Sequence, residues 1–168
     1  MRNRDAKAVA LGGMLAALAL VIMCLGGLIP VATYVCPMLC MLLLAFVLGL
    51  CGKRIAWAWY SAVMLLCLLM APDKEAAVVF AFLGYYPILK PRIDRMPLRW
   101  LWKFLLFNGM IGFAYTVLIY LLGVDQVVSE FRQLGIWLTG ITLLLGNVCL
   151  FVLDRLLGIL QFKFKKHK

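Results

Sequence analysis

The chain is built from long apolar runs separated by short polar joints, which is the pattern of a helix that crosses a membrane repeatedly. A crossing helix needs about 20 apolar residues. Ala8–Ile29 is such a run, free of charge and ended by Pro30. It follows a basic start, but it is too long for the apolar core of a signal peptide and reads as a retained span. Thr33–Cys51 is the second run, with Pro37 expected in its first turn. After the joint Gly52-Lys53-Arg54 come Ile55–Ala71 and Ala76–Leu89. A polar and basic stretch, Lys90–Lys103, interrupts the pattern. Leu101–Gly123 and Leu134–Leu153 complete six spans, and Gln161–Lys168 is a basic tail. The expectation is an all-α, single-domain membrane bundle of six helices.

Composition agrees. The 168 residues are 66% hydrophobic and 14% charged, and the mean hydropathy is +1.04. A soluble domain is roughly half apolar and about a quarter charged. A disordered chain, a soluble enzyme and a disulfide scaffold are excluded on this ground. The net charge of +10 would suggest nucleic acid in a soluble protein. Six spans explain it otherwise. Of 17 Lys and Arg, all but Lys74 and Arg132 fall on one side. Basic residues collect on the cytoplasmic side, so both termini are expected there, in a multi-pass protein of the cell membrane. The Lys90–Lys103 stretch and the tail then serve as topology determinants, or lean on anionic lipid or a cytoplasmic partner. Nucleic acid is not required.

Catalytic signatures are missing. There is no phosphate-binding Gly-rich loop, no H-E-x-x-H and no G-x-S-x-G. The one histidine, His167, lies in the tail. Asp94 and Asp154 fall at the cytoplasmic edge, far from the acids of the outer side. No enzyme activity, metal or cofactor is expected. The six cysteines form no C-x-x-C pair and read as small core hydrophobes.

Polar residues concentrate on the outer side. Lys53 to Lys90 is 38 residues, about 57 Å as helix, slightly short for two crossings of a core about 30 Å thick. The turn Asp73-Lys74-Glu75 is therefore expected below the outer surface, where charge is costly and usually functional. The alternative is that Asp73 caps the fourth helix and Glu75 favours its positive end. The first outer loop, Pro30–Pro37, carries Thr33 and Tyr34, and the third carries Asp125, Glu130 and Arg132. Tyr120 shares a face with Thr116, and Trp137 and Tyr34 are candidates for an outer stacking wall. Asn147 reads as interhelical glue or as a ligand contact. The substrate-binding candidates are Tyr34, Asp73, Lys74, Glu75, Tyr120, Arg132, Trp137 and Asn147. Trp57, Trp59, Tyr85, Tyr86, Trp100 and Trp102 form a cytoplasmic aromatic belt.

In the first span, Ala6, Ala10, Gly13 and Ala17 share one helical face, and Gly12, Ala16 and Ala19 make a second stripe beside it. Small faces allow close helix packing in lipid, within the bundle or against another protein. The stretch Ala8-Val9-Ala10-Leu11-Gly12-Gly13-Met14-Leu15-Ala16-Ala17-Leu18 resembles the first span of the substrate-binding S components of energy-coupling factor transporters. Ala6 and Ala10 match the A-x-x-x-A spacing of that family, and Gly13 with Ala17 repeats it with glycine in the first place. The motif covers the first tenth of the chain, while size and expected topology agree along all of it. The resemblance implies docking through Ala6, Ala10, Gly13 and Ala17 on a transmembrane coupling subunit served by two cytoplasmic ATPases. It also implies capture of a vitamin-like or micronutrient solute near the outer face. No signature of a particular cargo is present. The competing reading is a structural subunit of a cell-envelope or morphogenesis complex, similar to the rod-shape-determining small membrane proteins. Such a subunit would hold partners through Lys90–Lys103 and the tail.

Overall fold

The computed structural model describes residues 2–26, 32–120, 140 and 144–160, and the side chains of all these but 2–5, 32 and 118–120. Among them every regular element is a helix. Three stretches, Ala6–Gly26, Thr33–Cys51 and Lys53–Met70, are long and apolar enough to cross a membrane.

The order is α1 (Arg2–Gly26), α2 (Ala32–Cys51), α3 (Lys53–Met70), α4 (Lys74–Leu83), α5 (Tyr86–Ile93) and α6 (Arg99–Tyr120), followed by α7 over 144–160. Helix α2 is central and touches α1, α3, α4 and α5. It begins at Ala32, so Pro37 lies in its second turn rather than its first, where the ring removes the bond toward the Thr33 carbonyl. Met23, Met41, Leu44, Val63 and Phe80 are fully enclosed. Small residues mark the closest approaches: Ala19, Ala45, Ala56, Ala76 and Ala77 are all buried. Small residues at such positions let the backbones come together, and dispersion attraction across that short gap holds helices to one another in lipid. Large apolar residues such as Met14, Leu69 and Phe104 point outward instead, as they do in a protein solvated by hydrocarbon.

The joints follow from local chemistry. Gly52 alone connects α2 to α3 at φ 86°, a left-handed conformation that glycine adopts without a Cβ clash. The expected fourth span is divided in two. Pro87 has no N–H for the Leu83 carbonyl, and its ring would strike it. The helix therefore breaks at Gly84-Tyr85 and restarts as α5. Gly84 is required for a second reason: a Cβ there would overlap the Phe80 carbonyl oxygen and fall 2.8 Å from the Tyr60 ring. Leu98, before α6, takes φ 58°, an uncommon place for a branched side chain.

The six residues of the expected aromatic belt differ in burial, and Tyr85 is half-buried. Trp57, Trp100 and Trp102 are exposed. Trp59 and Tyr86 are buried, with Trp59 Nε1 donating to the Gly12 carbonyl at 2.9 Å and Tyr86 packed on Phe107 at 4.7 Å between ring centroids.

Candidate functional site

The starts of α2 and α4 and the far half of α6 meet at one end of the bundle. Asp73 caps α4: its carboxylate accepts from the Ala76 N–H at 3.0 Å and from the Thr33 hydroxyl at 2.9 Å. It satisfies an otherwise orphaned N-terminal donor and ties α2 to α4. Glu75, in the first turn of α4, stands beside two phenols. Tyr115 donates to it, Tyr34 lies at 3.5 Å, and the two hydroxyls are 2.5 Å apart. Beneath Tyr34 is an apolar cavity of about 20 Å³, lined by Met38, Met41, Val79, Ile111 and Cys149 among others. That is room for about one water.

Of the expected binding residues, Tyr34, Asp73 and Glu75 come together here. Lys74 does not join them; its ammonium turns back to the Leu68 carbonyl at 3.1 Å, where a cation complements the end of α3. Asn147 lies on α7 and exchanges hydrogen bonds with Asn108, at 3.3 and 3.1 Å. Arg132 and Trp137, the side chain of Tyr120, the loop 124–133 and the tail 161–168 lie outside the described residues. Thr116, expected to share a face with Tyr120, donates to Gly112 of its own helix. Tyr115 was not among the expected binding residues. Its signal is spacing: Asn108, Ile111 and Tyr115 recur at helical intervals on one face of α6.

The opposite end holds a second polar group, built from residues that linear charge patterning assigns to the surface. Lys90 is 3% and Lys103 8% exposed. Asp154 on α7 accepts from Lys90, from Lys103 at 3.0 Å and from the Tyr86 hydroxyl at 2.5 Å. Asp94 completes the set, 2.6 Å from Lys103 and 3.5 Å from Lys90. Two cations and two anions thus join α5, α6 and α7 with no net charge. Burial alone would push the Asp154 carboxyl up, but Lys90, Tyr86 and Lys103 together hold it below the usual carboxylate range. Beside this group, between α6 and α7, opens a cavity of about 100 Å³.

On α1, Ala6, Ala10, Gly13 and Ala17 are all exposed or half-exposed, whereas Gly12 and Ala19 are buried. A Cβ on Gly13 would meet nothing within 4 Å. The bundle uses one small stripe for its own packing and leaves the other outward. The described cysteines are all free, and the described residues hold no cluster of His, Cys, Asp or Glu arranged for a metal ion.

Compared with protein-family models, characterised proteins and solved structures, the chain matches none.

Proposed function

We propose that the chain is the substrate-binding subunit of an ATP-driven uptake system, spanning the membrane six times with both termini cytoplasmic. It captures a small vitamin-like solute at the outer face and is not itself an enzyme. A separate membrane subunit and cytoplasmic ATPases supply the energy. The observation that carries this reading is the outward stripe Ala6, Ala10, Gly13 and Ala17, left unused by the bundle while its neighbour stripe is packed. A small, outward face in lipid is suited to close contact with another membrane helix. The Tyr34–Tyr115–Glu75 group supports it from the other end of the molecule. It sets hydrogen-bonding groups over an apolar cavity, the combination that orients a small ligand. The cavity admits about one water, so loading requires α2, α4 and α6 to part.

The test is affinity purification of the tagged chain from its native membrane, with mass spectrometry of everything retained. The expected result is a polytopic coupling subunit with a pair of ATPases, and a small molecule released on denaturation. Glu75→Gln and Tyr115→Phe should then reduce uptake at least tenfold with the complex intact, the scale of one lost hydrogen bond to a charged group. Recovery of cell-envelope or morphogenesis proteins without an ATPase would establish the second reading, a structural subunit. The small size of the cavity favours that alternative.

A further inference from the structure

We propose that the joint between α5 and α6 is seated on an anionic membrane surface, with Arg92, Arg95 and Arg99 among the headgroups and Leu98 inserted beneath them. This rests on the membrane-spanning reading and is independent of the transporter reading.

The joint is short and tightly folded. The Arg95 N–H donates to the Arg92 carbonyl at 3.2 Å, the Met96 N–H to that of Ile93 at 3.0 Å, and the Leu101 N–H to that of Leu98 at 2.9 Å. These turns hold the three arginines within one compact segment, and all three are exposed. The carboxylate that lies among them in sequence is already engaged: Asp94 pairs with Lys90 and Lys103. Among the described residues none of the three arginines has an ion-pair partner. Lys90 and Lys103 are buried, so the positive charge that this joint offers outward belongs to the arginines.

Leu98 supplies an independent observation. It takes φ 58°, a left-handed conformation that costs a branched side chain free energy and that glycine or asparagine adopts more easily. Packing within the protein returns little for that cost, because Leu98 is 73% exposed. Met96 and Trp102, on either side of it, are exposed as well. Apolar side chains interleaved with guanidinium groups are badly placed in water and in hydrocarbon alike. The boundary between the two suits both kinds: leucine and tryptophan reach toward the acyl chains while the arginines stay level with the phosphates. Charge then selects the lipid. Three cations with no protein partner among the described residues favour an anionic leaflet over a zwitterionic one, and arginine grips phosphate through paired hydrogen bonds.

The experiment places the full chain in nanodiscs of phosphatidylcholine, with or without phosphatidylglycerol, and follows amide hydrogen exchange over residues 94–102 by mass spectrometry. A basic residue near an anionic surface contributes about fivefold, so phosphatidylglycerol should slow exchange there by up to roughly a hundredfold. Arg92→Gln/Arg95→Gln/Arg99→Gln should abolish the slowing. The control Lys53→Gln/Arg54→Gln, two exposed basic residues at the head of α3, should leave it intact. Leu98→Asn keeps a residue suited to the left-handed conformation but removes the apolar anchor. It should fold as well as the parent and still lose most of the slowing. That variant carries the test alone if thermal unfolding shows that the triple variant has not folded. Equal exchange in both kinds of disc would overturn the proposal and leave the joint to an acidic protein partner. Full slowing in Leu98→Asn, or equal losses in the arginine triple and the control, would overturn it too.

Discussion

Replacing Asp154 by Asn strips two buried ammonium groups of a shared acceptor. Among the described residues Lys90 would keep only Asp94, at 3.5 Å, and breaking a buried pair from one side costs about 3–5 kcal/mol. Thermal unfolding in detergent should therefore show a large drop for Asp154→Asn and a smaller one for Asp154→Glu. The pH dependence has a definite sign. The Asp154 carboxyl is held below its ordinary value, pushed up by burial but pulled down further by Lys90, Tyr86 and Lys103. Its contribution is present above the unfolded value of about 3.9 and is lost as pH falls through the lower folded value. Stability attributable to this group should be flat from about pH 8 to 5 and fall only in stronger acid. A second residue-scale test is Gly84→Ala. Its Cβ meets backbone, the Phe80 carbonyl oxygen, and overpacking of that kind costs about 1–3 kcal/mol. Gly13→Ala, with open space around it, should be neutral or slightly stabilising in the same melt.

At this scale the sequence is legible where a residue acts locally. Asp73 caps α4 through the Ala76 N–H three residues on, and a carboxylate preceding a helix announces that. The burial of Lys90 and Lys103 is hidden because their partner, Asp154, is 64 residues from Lys90. Linear charge counting treats a basic residue near a span end as solvated, and only the folded path shows what faces it. Tyr115 escapes notice for a related reason: its partners Tyr34 and Glu75 lie on other helices, 81 and 40 residues away.

Among the elements, hydropathy marks most of the helices closely. Thr33–Cys51 and Ile55–Ala71 match α2 and α3 within two residues at each end, and Ala8–Ile29 covers α1 from its seventh residue on. The fourth expected stretch is broken into α4 and α5, because apolar content says nothing about the carbonyl that Pro87 cannot serve. The local signal is the Pro itself, preceded by Gly84 within one turn. The α1 stripes pose the opposite problem. Two small faces stand side by side, and periodicity gives no means of choosing which packs inward. The choice is fixed by Trp59, whose indole N–H reaches the Gly12 carbonyl and draws that face into the bundle. Gly13→Leu and Ala10→Leu should consequently leave stability within about 0.5 kcal/mol of the parent, as exposed substitutions usually do. The same variants should abolish co-purification of a coupling subunit. A complex that survives both would return the stripe to the lipid.

For the whole molecule, the distribution of basic residues makes a prediction about orientation. Reporter fusions at the N- and C-terminal ends should both give a cytoplasmic signal, and a reporter inserted at Asp125 an external one. Removing Lys53 and Arg54 should weaken that orientation.

The same neutral group imposes an order on biosynthesis. A ribosome delivers Lys90, Asp94 and Lys103 well before Asp154. Until the last helix arrives, two ammonium groups share a single carboxylate in a place meant to exclude water. A nascent or truncated chain that stops short of residue 154 carries an uncompensated positive charge at the junction of α5 and α6. That surplus distinguishes an unfinished molecule from a finished one, and it vanishes when α7 docks.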